Sequence, residues 1–421
     1  MRGQGVAFVL VLTLASVGSL ASSARAQLTL DDALRAARRA NAALPVARLD
    51  AEGAAAAVDE ARARRLPTVA FDGDLHTGFP ERYASSDARA QIVAETPLYD
   101  GGRLRAAVEG SAAAADRARA GYHRSELDLD REVRVLFATC LEVDQELAFR
   151  EAGVARLRSY QSVIEARHAG GQGVAFDLSQ TRVRLGEEEA NVADAERRRA
   201  AVALELNELM GQPLDAMLEL APLPAPELAA AQPAGQPWLG APEIAQSEAE
   251  ERAAAANVTA VRADRWPKVS LMVDGGGQPV WGNSNLALLN NGEGWGGELV
   301  LSVNMPLWDA GIQRSRVAQA ELAQKAAKQR VSVTHRGVEL AWQRAAADIR
   351  GLQREVEVRA RTADTARDSY LQAESLYRGG AGSALEVLDA YDGWIAANQT
   401  FAEAVLRQRI AEAELVRWGT P

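Results

Sequence analysis

Apolar residues recur every seven positions through the middle of the chain. Leu129, Leu136, Val143, Leu157 and Ile164 share one spacing, and Val133, Cys140, Leu147 and Val154 fill the alternate slots. Such a seam predicts long helices packed as a coiled coil. Shifted by 209 positions, the same slots hold Val338, Trp342, Ala345, Ile349, Leu352 and Val356, and one slot is basic in both places, Arg150 and Arg359. Elsewhere the pattern has a period of two. Val69, Phe71 and Leu75 alternate with Thr68, Asp72, Asp74 and His76. Ile92 and Ala94 stand opposite to Gln91 and Glu95. Val269, Leu271 and Val273 stand opposite to Ser270 and Asp274, and Leu299, Leu301 and Val303 opposite to Ser302 and Asn304. These are strands with one apolar and one polar face. The alternation suits a transmembrane barrel and a half-buried soluble sheet equally.

Proline and glycine punctuate this pattern. No proline occurs between Pro97 and Pro213 or between Pro306 and Pro421, gaps of 115 and 114 residues, whereas seven crowd into 213–242. Proline would break the hydrogen-bond ladder, so each gap predicts long helix. Each gap is interrupted once, by Gly170-Gly171-Gln172-Gly173 and by Gly379-Gly380-Ala381-Gly382, again 209 apart. The prediction is two antiparallel helical hairpins, about 102–210 and about 311–417. A first helix of some 67 residues would be about 100 Å long, more than a globular core needs.

The hairpins follow a repeated phrase. Pro97-Leu98-Tyr99-Asp100-Gly101-Gly102 returns as Pro306-Leu307-Trp308-Asp309-Ala310-Gly311, and Leu66-Pro67-Thr68-Val69 returns as Trp266-Pro267-Lys268-Val269. Asp100 and Asp309 sit where helices open and are read as caps. The chain thus divides into a first repeat, 27–211, with strands about 67–77 and 88–97, and a second, 242–421, with strands about 267–277 and 297–306. A Pro-rich connector, 212–241, joins them. Tyr99, Trp266 and Trp308 flank one end of the strands, and Phe79, Tyr83, Trp281 and Trp295 the other. These are candidate membrane-interface belts. Four strands cannot close a barrel, and lipid tolerates no open edge, so spanning strands would have to be pooled among chains.

Composition narrows the partners. A net charge of −10 speaks against nucleic acid. Arg2, the apolar run 6–20 and Ala24-Arg25-Ala26 read as a signal peptide over 1–26. Its removal takes two arginines and leaves a charge near −12 (−10 minus 2). The lone Cys140 cannot form an internal disulfide and reads as core packing. No cysteine lies near the cleavage site, which speaks against a lipid anchor there. His76, His123, His168 and His335 are scattered without metal spacing. No phosphate loop or nucleophile elbow is present. No enzyme activity, cofactor or metal is therefore expected.

In combination these residues resemble the TolC family of outer-membrane efflux and secretion channels, over about 28–418. The shared features are Leu28-Thr29-Leu30-Asp31-Asp32-Ala33-Leu34 followed by a helix and Pro45, arginine-rich helix ends before Pro67 and Pro267, the two Pro-Leu-aromatic-Asp-x-Gly turns, and the stretch from Tyr377 through Gly379-Gly380-x-Gly382-Ser383-x-Leu385-Glu386-Val387-Leu388-Asp389. The resemblance implies a mainly α homotrimer. Its helices would form a periplasmic α-barrel, and four strands per protomer would enter a shared 12-stranded transmembrane β-barrel. It implies a passive conduit in the outer membrane of a Gram-negative bacterium, served by a periplasmic adaptor and an inner-membrane transporter, ATP-driven or proton-driven. The cargo stays open between drugs and secreted proteins.

The resemblance also marks residues. Glu386 and Asp389 match acidic positions lining a closed periplasmic gate, Asp177 matches Glu386 in the first copy, and Tyr377 matches a tethering position. A ring of such carboxylates would favour cations, although acidic residues three apart also suit a solvated helix face. One family member carries Arg where this chain has Gly382, so a charge-assisted tether is missing or rebuilt elsewhere. The turns at Gly170, Gly171, Gly173, Gly379, Gly380, Gly382 and Ser383 match tips that meet the adaptor, and from the residues alone they are plain connecting turns. A coiled-coil periplasmic adaptor is the alternative, opposed by two hairpins where adaptors usually have one.

Overall fold

The computed structural model describes residues 27–78, 85–170, 175–224, 236–277, 280–282 and 295–419. The expected signal peptide, Phe79, Tyr83, Gly171 and Gly173 lie outside them, as do the side chains of Trp281 and Trp295. The elements run α1 (Leu30–Ala40), α2 (Ala43–Ala63), β1 (Thr68–Gly78), β2 (Ser85–Tyr99), α3 (Arg103–Ala169), α4 (Ala175–Leu209), α5 (Pro242–Ala263), β3 (Lys268–Gly277), β4 (Val280–Gly282), β5 (Trp295–Asn304), α6 (Ile312–Arg378) and α7 (Ala384–Gly419).

The strands make one antiparallel sheet in the order β1-β2-β3-β5, with the short β4 also pairing β2. Register sets Phe71 opposite Ile92, Ala94 opposite Val273, and Leu271 opposite Leu301, so the apolar positions of four strands share one face. No helix packs across either face among the described residues. Phe71 is 71% exposed and Leu299 68%. A soluble antiparallel sheet would cover its apolar face. A bare apolar face this wide suits lipid, which decides between the two readings of the alternation.

Where strand becomes long helix, both copies use the same device. Asp100 accepts hydrogen bonds from the amides of Gly102 (3.0 Å) and Leu104, and Asp309 from those of Gly311 (3.0 Å) and Gln313 (2.7 Å). The bend passes through the left-handed region at Gly101 and Gly102, and at Ala310 and Gly311. Ala310, at φ 53°, is the one non-glycine among the described residues that takes a positive φ.

The helices then lie side by side in a strip four elements wide. Beside the sheet the order is α2-α3-α5-α6; towards the turns it is α4-α3-α7-α6. The sheet order β1-β2-β3-β5 continues the same four columns, and α3 and α6 run the whole helical length. At the waist, Leu28 bridges Leu220 of the connector. There α1 docks through Ala33, Leu34 and Ala37 onto Val133, Phe137 and Cys140 of α3 and Leu206 of α4. Cys140 is 1% exposed and its thiol is pushed up to about 11 by burial, so it packs rather than reacts.

Candidate functional site

The far end of the strip brings the end of α3 beside the turn from α6 to α7. α6 stops in a glycine motif: Gly380 takes φ +80°, its amide donates to the Tyr377 carbonyl (3.0 Å), and the Ala381 amide donates to the Leu376 carbonyl (2.9 Å). This paired arrangement satisfies carbonyls that the helix end would leave orphaned. Gly382 follows in a tight spot, where a Cβ would stand 3.1 Å from the Tyr377 amide nitrogen. α7 then opens with a reciprocal cap. Ser383 Oγ accepts from the Glu386 amide (3.2 Å) and the Glu386 carboxylate accepts from the Ser383 amide (2.9 Å). Glu386 therefore holds a helix start. The Ser-x-x-Glu spacing signals this cap in the sequence. In the first turn, Gly170 caps α3 and is exposed. Gly379, Gly380 and Ser383 are exposed as well, and Gly382 is half-buried.

Tyr377 is buried (5% exposed) in a cluster of Leu157, Tyr160, Ile164, Tyr370, Val387, Tyr391 and Trp394. Its ring meets Tyr160 edge-on at 5.3 Å, and Tyr370 stacks on Trp394 at 5.4 Å. This cluster joins α3 of one hairpin to α6 and α7 of the other. Arg167 strengthens the joint: its guanidinium lies 4.5 Å over the Tyr377 ring and donates to the Arg378 carbonyl (3.1 Å). An arginine from the first hairpin thus reaches Tyr377 although position 382 has none. Tyr160 donates to the Ala384 carbonyl (3.5 Å), and burial, with smaller help from Tyr377 and Asp177, raises its phenol pKa.

The acidic candidates are only partly gathered. Asp389 is exposed on α7, one turn beyond Glu386, while Asp177 is half-buried at the start of α4 and acts on Tyr160. One more carboxylate belongs with them. Asp392 pairs with Arg184 of α4, and burial, then the nearby Asp389, raise its pKa against the pull of Arg184. Tyr160, Arg167 and Asp392 were missed because their contacts cross between hairpins, where sequence spacing carries no signal. At the other end Tyr99 (49% exposed), Trp266 (57%) and Trp308 (86%) stand free beside the helix–strand junctions. Among the described residues no group of three His, Cys, Asp or Glu side chains is placed to hold a metal, and no helix is long and apolar enough to cross a membrane.

Comparison with known proteins agrees with this geometry. The family model for outer membrane efflux proteins matches residues 23–212 and 239–418. The chain is 25% identical to the pyoverdine export outer membrane protein OpmQ of Pseudomonas putida over 394 residues, 87% of this chain and 82% of that one. Its fold superposes on CusC with a TM-score of 0.84 at 20% identity, covering 93% of this chain and 92% of that one. The outer membrane protein VceC of Vibrio cholerae gives 0.81 at 18% identity, covering 93% and 96%. The chain belongs to the outer membrane efflux protein family and is an outer-membrane export channel protein with a periplasmic helical portion.

Proposed function

We propose that three copies close into one conduit, in which each chain lends four strands to a 12-stranded barrel and its helices to a periplasmic tunnel. The observation that carries this reading is the strip with open edges. Among the described residues β1 and β5 each pair on one side only. The same edges continue as α2 and α4 on one side and α6 on the other, carrying exposed Val46, Leu49 and Val183 against exposed Leu322, Val333 and Leu340. Unpaired strand edges in lipid must be closed, and exposed apolar stripes on facing helices supply the contacts. Tyr99, Trp266 and Trp308 fit the membrane interface, with Trp281 and Trp295 at the other rim.

In this reading the conduit works without bond chemistry or cofactor. It opens at the turn end, where a periplasmic adaptor meets the tips and an inner-membrane transporter supplies the energy. The chain divides into a signal peptide 1–26, repeats 27–211 and 242–421, and the connector 212–241. Glu386 and Asp389, joined by Asp177 and Asp392, ring the constriction, and Tyr377 with Arg167 holds it. A heat-sensitive trimer in detergent extracts of outer membranes is expected; a monomer in the periplasmic extract sinks the reading. In planar bilayers, Glu386→Ala with Asp389→Ala should lower cation selectivity, and unchanged selectivity removes both residues from the gate.

A further inference from the structure

Between α3 and α7, under Leu223 of the connector, lies a cavity of about 290 Å³ that the export reading does not use. Its walls are mainly apolar: Leu141 and Phe149 on α3, Ile395, Phe401 and Leu406 on α7, with Leu223 above. The volume is at the small end of ligand pockets, which typically combine apolar walls with a few placed polar groups. The decisive feature is how its charges are matched.

Two arginines line the cavity, and both are fully engaged. Arg150 pairs with Glu146 at 2.8 Å and Glu188 at 3.4 Å. Arg409 pairs with Glu412 at 3.1 Å and donates to the Pro224 carbonyl. Glu146 is further held by Arg198 at 2.6 Å. Glu142 has no such match. It lines the cavity half-buried and makes no hydrogen bond or ion pair within the described chain. Burial, with the repulsion of Glu146, raises its pKa against the weaker pull of Arg198, which is held by Glu146 and Asp194 and makes no ion pair with Glu142. Glu403, exposed on α7 outside the cavity lining, adds a small repulsion. The cavity therefore sets one carboxylate without a hydrogen-bond or ion-pair partner among the described residues beside aromatic and aliphatic walls.

We propose that this cavity binds a small amphipathic organic cation, with its apolar body between Phe149, Phe401 and Leu406 and its ammonium against Glu142. The class follows from the site: an anion would face the Glu142 carboxylate while both lining arginines are already paired, and a neutral apolar guest would leave Glu142 unmatched. Lined by both hairpins, the site ties α3 to α7 when occupied, and a ligand that binds only the folded state raises its melting temperature.

The test uses the full protein in lipid nanodiscs and a matched pair of probes. (4-tert-Butylbenzyl)trimethylammonium should bind saturably by calorimetry and raise the melting temperature, whereas 4-tert-butylbenzenesulfonate should do neither. Glu142→Gln should weaken the cation roughly tenfold, and Leu406→Trp, which fills the cavity and leaves the carboxylate, should abolish binding. Equal binding of the two probes, unchanged affinity in Glu142→Gln, or no cation binding by the parent overturns the proposal.

Discussion

The two hairpins carry the same ion-pair triad at the same offset, yet one is buried and the other is not. In the first, Arg198 and Arg150 converge on Glu146; in the second, Arg407 and Arg359 converge on Glu355. Side-chain exposure is 10% for Arg150 and 11% for Glu146, against 43% for Arg359 and 32% for Glu355. Two substitutions between the copies account for the change, and a third adds a carboxylate. Glu188, 4% exposed, gives Arg150 a second carboxylate where the other copy has Ala397. Gly153 replaces the exposed Thr362, and the space above Gly153 is filled by Tyr391 of α7. Glu142 stands where the other copy has Gly351. The first hairpin is thus covered by the second, and the duplicated triad becomes an internal joint on one side and a solvated stripe on the other.

The largest expected asymmetry is at the arginines. Arg150→Met leaves Glu188 buried with only Asn191 donating to it, and should cost about 3–5 kcal/mol. Arg359→Met removes a half-exposed pair and should cost about 0–1 kcal/mol. Denaturant melts of the purified variants read the difference, and equal losses would erase the distinction between buried joint and solvated stripe.

Next comes the glycine. A Cβ on Gly153 would collide with the Tyr391 hydroxyl oxygen. That ring is 1% exposed and its hydroxyl has no hydrogen-bond partner among the described residues, so it cannot swing aside into solvent. Gly153→Ala should cost about 1–3 kcal/mol by overpacking, and Tyr391→Phe should restore most of it by deleting the clashing oxygen. Thr362→Ala, at the matching position of the other copy, should stay within about 0.5 kcal/mol. If Tyr391→Phe gives no relief, the close approach does not explain why this position needs glycine.

These joints also mark the limit of what the sequence discloses. The seven-residue seam, the proline gaps and the Asp-x-Gly phrase act within one element, so α3, α6 and the helix openings could be read from spacing alone. The alternation of Phe71 with Asp72 defined a two-faced strand but not what lies outside it; that needed the absence of any helix over the sheet. Arg167 over Tyr377 and Tyr391 over Gly153 are contacts between columns of the strip, more than 200 residues apart in the chain. No local pattern records them. The Ser383–Glu386 cap was legible, and was overlooked because the family match had already given Glu386 a different role.

That double role can be separated. Ser383→Ala breaks the cap without changing charge, and should cost about 1 kcal/mol while leaving cation selectivity as it was. Asp389→Asn should do the reverse. If Ser383→Ala shifts selectivity as far as Glu386→Ala does, the effect comes from the shape of the turn and not from a ring of carboxylates.

The smallest effect lies at Glu142, and its sign tells two explanations apart. Burial, then Glu146, raise its folded pKa above the ordinary 4.5 against the pull of Arg198. A raised carboxylate contributes stability that is full below that ordinary value and is lost as pH rises through the folded value. The parent should therefore lose stability on going from pH 4.5 towards neutrality by slightly more than Glu142→Gln does, and the variant should be the more stable of the two at pH 7. Melting curves across that range check this. The same substitution is expected to weaken the cationic probe. A variant that melts higher and binds less has lost a ligand contact, because general damage to the fold would move both readouts downward. Glu142 then belongs with sites where a destabilising group is kept for what it binds, a property the second copy, with Gly351, does not share.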